Sequence, residues 1–183
     1  MHRPSFAAMS AAANTIFPYP GGIPFDENRE ITVVNKQVAD VIGGAVAKNI
    51  ATLETKNDTS KWINTCAVRM SFILNNANVY IPKRSGQTVT GKDNRNYFYH
   101  VKDLILFLTG IWGKADYIIQ FPVINDKNIT GKNGLILFEV SGWSDASGHA
   151  TLWNGTECYD HCYFNPFPNP KVVTKKAHFW TLK

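Results

Sequence analysis

A single change of hydrophobic period, at about Trp112, divides this chain into a helical half and a stranded half. Before it, Val38, Val41, Ile42, Ala45, Val46, Ile50 and Leu53 recur at helical spacing and predict one long helix ending before residue 54, although Gly43 and Gly44 interrupt its middle. Residues 57–60 are a polar break, after which Asn64 or Thr65 can cap a second helix whose inner face is Ala67, Met70 and Leu74. Residues 75–78 end that helix and 79–81 read as extended. Residues 82–96 form a polar loop long enough to border a groove. A third helix is expected over 97–112, where Phe98, Val101, Leu104, Ile105 and Leu108 are spaced by three and four and glycines stand near the end. After Trp112, residues 117–121, 135–140, 149–153 and 178–182 are short β-branched and aromatic runs separated by Gly, Asn, Asp and Pro, the pattern of strands. Helices first and a mostly antiparallel sheet second define an α+β domain.

A length of 183 residues with 44% hydrophobic content is enough for one domain with a core of its own. We set residues 1–29 apart as an N-terminal extension, Ala-rich at 11–13 and Pro-rich at 17–25, the one stretch where the composition allows flexibility; 30–183 is read as a single domain. The net charge of +5 comes from lysines and arginines scattered singly, which excludes the basic stripe of a nucleic-acid binder and leaves an anionic polymer as a sensible partner. No apolar run resembles the core of a secretory signal or reaches the length of a bilayer span, so neither a classical export signal nor membrane insertion is expected.

Three cysteines fall into a lone Cys66 and a close pair, Cys158 and Cys162. Cys66 stands in the first turn of the predicted second helix, where the helix dipole favours a thiolate and unpaired backbone N–H groups supply part of an oxyanion hole. Alone, it is equally readable as a small buried hydrophobe. His149 follows Gly148 in a strand pattern, so a substrate or another backbone can approach it closely; the competing reading is a half-buried strand histidine bonded to a neighbour. Asp160 lies between the paired cysteines and is placed to orient the His149 imidazole. That pair is compatible with a loop disulfide, or with His161 as part of a metal site that lacks a fourth ligand nearby. Arg69 shares the helix face of Cys66, and an internal ion pair is preferred for it over a contact with a substrate carboxylate. Trp62 and Trp153, near the proposed nucleophile and base, are the aromatic candidates for lining a cleft.

The segments Asn64-Thr65-Cys66-Ala67 with Arg69 and Ser71, Gly148-His149 through Leu152-Trp153-Asn154-Gly155, and Cys158-Tyr159-Asp160 together resemble the fourth family of type VI secretion amidase effectors, relatives of the NlpC-type papain-like peptidases. The resemblance runs from about residue 30 to the C-terminus, with no counterpart placed for the extension. It implies a papain-like fold, Cys66 as nucleophile, His149 as base and then acid, Asp160 as third member, and a Cys158–Cys162 loop disulfide. It further implies hydrolysis of the γ-D-glutamyl–meso-diaminopimelate bond in peptidoglycan peptide stems, delivery by the type VI apparatus into a competitor's periplasm without a signal peptide, and a cognate periplasmic immunity protein. No cofactor or metal is implied. The competing functions are a cysteine protease or deamidase acting on a protein, and a non-catalytic wall-binding module.

Overall fold

The computed structural model describes residues 2–19, 27–121, 123, 126–143 and 146–183. Helix α1 (Phe6–Ile16) opens on Ser5, whose Oγ accepts the Ala8 N–H at 3.2 Å, a serine N-cap. Its Met9, Ala12, Ala13 and Ile16 follow an i, i+3, i+4, i+7 pattern, and all four are buried. This corrects the reading of 1–29 as an extension outside the domain. Most of α1 belongs to the core, packed on α5 (Cys66–Asn76), and Phe6 N–H reaches the Lys183 carbonyl at 2.6 Å, so the two ends of the chain meet. Residues 20–26, most of the Pro-rich stretch, lie outside the described residues.

The expected long helix before residue 54 is three helices and a π-helical turn. Helix α2 (Glu27–Arg29) passes through a π-helical segment (Glu30–Asn35) into α3 (Lys36–Ile42), and α4 (Gly44–Asn49) follows a break. The break is at Gly43, whose φ of 63° and ψ of −158° no L side chain adopts without strain. Leu53 falls beyond it in a turn and is exposed. The loop expected over 82–96 contains β1 (Thr88–Thr90), paired antiparallel with β2 (Asn96–Phe98); its Lys92 N–H bonds the Ile42 carbonyl, so this hairpin packs beside the α3–α4 break. β2 takes the first residues of the predicted third helix, which starts later as α6 (Val101–Trp112).

The remaining strands, β3 (Tyr117–Gln120), β4 (Asn133–Ser141), β5 (Gly148–Asn154) and β6 (Val173–Thr181), form one antiparallel sheet in the order β3-β6-β4-β5. The central strand β4 carries Leu135-Ile136-Leu137-Phe138 without alternation because both of its faces are covered. Leu135 and Leu137, with Ala150, Leu152, Trp180 and Leu182, face the helices. Ile136 and Phe138, with Trp153, Ala177 and Phe179, face a second core closed by Ile129, Phe164 and Val172. Gly148 opens β5 where a Cβ would run into the Phe138 carbonyl and meet Val101 Cγ1 at 3.0 Å, so glycine permits α6 to begin against the strand that carries His149. Among the described residues no helix is long and apolar enough to cross a membrane.

Because Met9 is fully buried between α1 and the rest of the core, Met9→Ala is expected to lower unfolding free energy by about 2–5 kcal/mol, measurable by urea denaturation. A loose extension would leave the transition unmoved.

Candidate active site

Helix α5 begins at Cys66, a free cysteine only 2% exposed, and no side chain of its N-cap residue Thr65 bonds the first turn. Asn64 does so instead: its Oδ1 accepts the Cys66 N–H at 3.0 Å. The N–H expected to wait for an oxyanion is therefore already satisfied by a carboxamide two residues earlier, in the manner of an Asx turn. The Cys66 Sγ lies 3.7 Å from the Gly148 carbonyl oxygen, and the thiol is near enough to His149 to favour its protonated form. The strand and the helix start thus bring together two residues 83 positions apart, since 149 − 66 = 83.

Asp160 arrives by a reversal of the chain. Asn154 Oδ1 accepts the N–H groups of Thr156 and Glu157, Gly155 takes a φ of 99°, and the chain returns along β5 with Trp153 bridged to Cys158 and the Tyr159 N–H on the Leu152 carbonyl. Continuing that register sets Asp160 opposite Thr151, two residues from His149 on the same strand. The Cys158–Cys162 disulfide closes the loop around Asp160, joining the two sulfurs that a metal site would need. His149 Nε2 is 3.0 Å from Asp160 Oδ1, leaving Nδ1 as the ring nitrogen for Cys66. Asp160 Oδ1 also accepts the His161 N–H at 2.6 Å, and Oδ2 accepts from Arg69 Nη1 at 3.0 Å.

The electrostatics follow from this geometry. Burial works against the charged form of His149, but the neighbouring Asp160 carboxylate, its hydrogen bond and the contact with Cys66 outweigh it and push the imidazole up to about 9. Burial by itself would raise Asp160, yet the His149 charge and hydrogen bond and the Arg69 guanidinium hold it far below the usual carboxylate range. The protonated imidazole and ionised carboxylate are thus the paired state at neutral pH. Tyr163 packs its ring 4.6 Å from that of His149, and burial followed by the Asp160 charge raises its phenol, keeping it neutral.

Of the residues singled out in the sequence, Cys66, His149 and Asp160 converge. One substrate-binding expectation is corrected, that for Trp153, while Arg69 takes the internal ion pair preferred for it over a substrate contact. Arg69 is buried with its guanidinium on Asp160, and Trp153 is 2% exposed in the second core with its Nε1 donating to the Ile129 carbonyl at 3.0 Å, so neither faces a cleft. Trp62 is half-buried and stacked on Tyr99 at 5.0 Å. Tyr163, directly after a cysteine, carries no sequence signal that places it on the imidazole, and Asn64 reads in the sequence only as a helix cap. A groove of about 510 Å³ under the start of α6 is lined by Val101, Lys102, Ile105, Glu139, Ser147 and Lys175 but by none of the three convergent residues. The chemistry, and not cavity size, locates the site.

A thiol at a helix start, an imidazole in reach of it and a carboxylate behind the imidazole, set between helices and an antiparallel sheet, define a papain-like cysteine hydrolase. The family model described as type VI secretion system amidase effector protein 4, Tae4, matches residues 62–180. Among solved structures, the effector Tae4 from Enterobacter cloacae is 37% identical with a TM-score of 0.73, the alignment covering 100% of this chain and 98% of that one. The Tae4–Tai4 effector–immunity complex of Enterobacter cloacae matches at 36% identity and a TM-score of 0.75, and that of Salmonella Typhimurium at 33% and 0.73, each covering 100% of both chains. A search of curated proteins gave no match. The chain belongs to the Tae4 family. It is an antibacterial peptidoglycan amidase, an effector that type VI secretion delivers to target cells. The full-length coverage also extends to the amino-terminal residues for which the sequence had suggested no counterpart.

Opening the five-residue ring with Cys158→Ser/Cys162→Ser is expected to cost about 2 kcal/mol of stability and to lower turnover more than substrate affinity. Urea denaturation and steady-state kinetics of the double variant check both.

Proposed function

We propose that Cys66 is the nucleophile, His149 the base and then acid, and Asp160 the group that orients the imidazole, and that the bond cut is the one between γ-D-glutamate and meso-diaminopimelate in the peptide stem. The observation that carries this reading is the bonding of His149: one ring nitrogen is taken by Asp160, and the other is left for Cys66. With its proton on His149, the Cys66 sulfur attacks the γ-glutamyl carbonyl carbon, forming a C–S bond while the carbonyl electrons move onto oxygen. The oxyanion takes the Cys66 N–H over from Asn64 Oδ1. As the tetrahedral species collapses, the C–N bond breaks, the diaminopimelate amine leaves with the proton from His149, and a thioester remains. Neutral His149 then takes a proton from water as it attacks the thioester, and returns it to the departing sulfur. Asp160 stays ionised throughout and fixes the ring's tautomer.

Supporting the biological setting are the family, whose members act through type VI secretion, and the loop disulfide, a bond that persists in oxidising compartments such as the periplasm. No signal peptide is needed for a protein that reaches the target periplasm by injection. The relatives solved with Tai4 support a cognate immunity protein that docks over this site. Trp62, stacked on Tyr99, is the aromatic surface left to contact a stem.

The test is mass spectrometry of fragments released from purified Gram-negative sacculi. The wild type is expected to cut between D-glutamate and diaminopimelate, Cys66→Ala and His149→Ala to lose about 10³-fold or more of the rate, and Asp160→Asn to be milder. Intact stems with active wild-type protein point to a protein substrate instead. With His149 pushed up to about 9, its imidazolium persists through neutral pH and is lost above. The rate is therefore expected to fall on the alkaline side with a midpoint near 9, read from a pH profile of kcat/KM.

A further inference from the structure

Arg69 is buried one helical turn after Cys66, and its bonding is unusual for a group that serves stability. Nη1 donates to Asp160 Oδ2 at 3.0 Å, while Nε is buried with no hydrogen-bond partner among the described residues. A buried N–H without a partner is a cost that packing for stability alone would avoid. Beneath it lies the Phe17 ring, 4.7 Å from Cζ, at the end of α1. The same ring packs edge-on against Tyr159, whose hydroxyl bonds Asn14 Oδ1. The loop bearing Asp160 is thus gripped from the side opposite His149 by α1 and α5 together.

We propose that Arg69 is a positioning residue of the reaction: it fixes Asp160 Oδ2 so that Oδ1 is presented to His149 Nε2, and Phe17 keeps the guanidinium in that place. This rests on the roles proposed above for Cys66, His149 and Asp160. Without the guanidinium, Oδ2 has lost its one side-chain cation and the carboxylate is free to rotate away from the imidazole. The groups that face the His149–Asp160 pair are Cys66 and Arg69 from α5, Glu30 from the π-helical segment, Thr151 from β5, and Tyr159, His161 and Tyr163 from the returning loop. Arg69 is the cation among them that does not titrate near neutrality, so it can hold Asp160 Oδ2 at every pH at which the His149–Asp160 pair works.

The test uses Arg69→Met, Arg69→Lys and Phe17→Leu with two readouts: kcat/KM on sacculi and the rate of Cys66 alkylation by iodoacetamide, both across pH. For Arg69→Met, kcat is expected to fall about tenfold or more with KM little changed, and the alkaline midpoint of both profiles to move down, because a carboxylate that has turned away no longer holds the imidazolium. Arg69→Lys, which retains charge but not the fork, is expected to restore the midpoint and only part of kcat. Phe17→Leu is expected to move the midpoint less, in the same direction. Midpoints that stay at the wild-type value or rise in Arg69→Met overturn the proposal: loss of folded protein alone lowers the amplitude without displacing the profile, and a rise means the carboxylate has kept its place without the guanidinium. Should Arg69→Met fail to fold, an unmoved midpoint in Phe17→Leu overturns it. Alkylation needs no peptidoglycan, so shifted alkylation profiles without stem cleavage retain the role of Arg69 and refute only the proposed substrate.

Discussion

A carboxylate enclosed by protein is tolerated only when its charge is met, and the structure around Asp160 is arranged to meet it. One oxygen receives His149 and the His161 N–H, the other receives Arg69. Each partner comes from a different part of the chain: β5 supplies the imidazole, α5 the guanidinium, and the returning loop the carboxylate itself. Helix α1, more than a hundred residues earlier, secures the far side through Phe17 and Asn14. Cys66 rides on the same helix as Arg69, so the spacing of the thiol from the imidazole and of the guanidinium from the carboxylate are set by one rigid element.

What the sequence disclosed about the fold was its regular part. The strands announced themselves because their runs are short, apolar and bounded by turn residues; only the ends were misjudged, as at β6, where Lys175 and Lys176 concealed the first half of the strand. The helical half was less readable. Gly43 and Gly44 interrupt the apolar period without revealing that the backbone takes a positive φ there, so one period runs across three helices. The short β1–β2 hairpin was hidden because Tyr97 and Phe98 also satisfy a helical period. For α1 the signal was present, with Met9, Ala12, Ala13 and Ile16 forming a stripe, but small alanines carry little hydrophobic contrast and were read as mere composition.

The site divides in a similar way. Cys66, His149 and Asp160 were legible because reactive side chains stood beside local features with a physical meaning: a helix start, a glycine before a strand, and a cysteine pair around a carboxylate. Arg69 was seen but its partner was not, since helix position says which way a side chain leaves and not what comes to meet it from residue 160. Trp153 is a false lead because sharing a strand face with His149 does not set it in the same cleft: four residues further along β5 it is enclosed by Ile129 and Phe164 in the second core.

The sheet ends at β5, and an unpaired terminal strand is a template on which another chain can add itself. Here the returning loop runs along that margin, with Cys158 bridged to Trp153 and the Tyr159 N–H occupying the Leu152 carbonyl. At the opposite margin β3 offers only four residues. The segment that carries Asp160 to His149 therefore also closes the ladder, so the same few residues that bring the carboxylate to the imidazole guard that margin against strand-by-strand association.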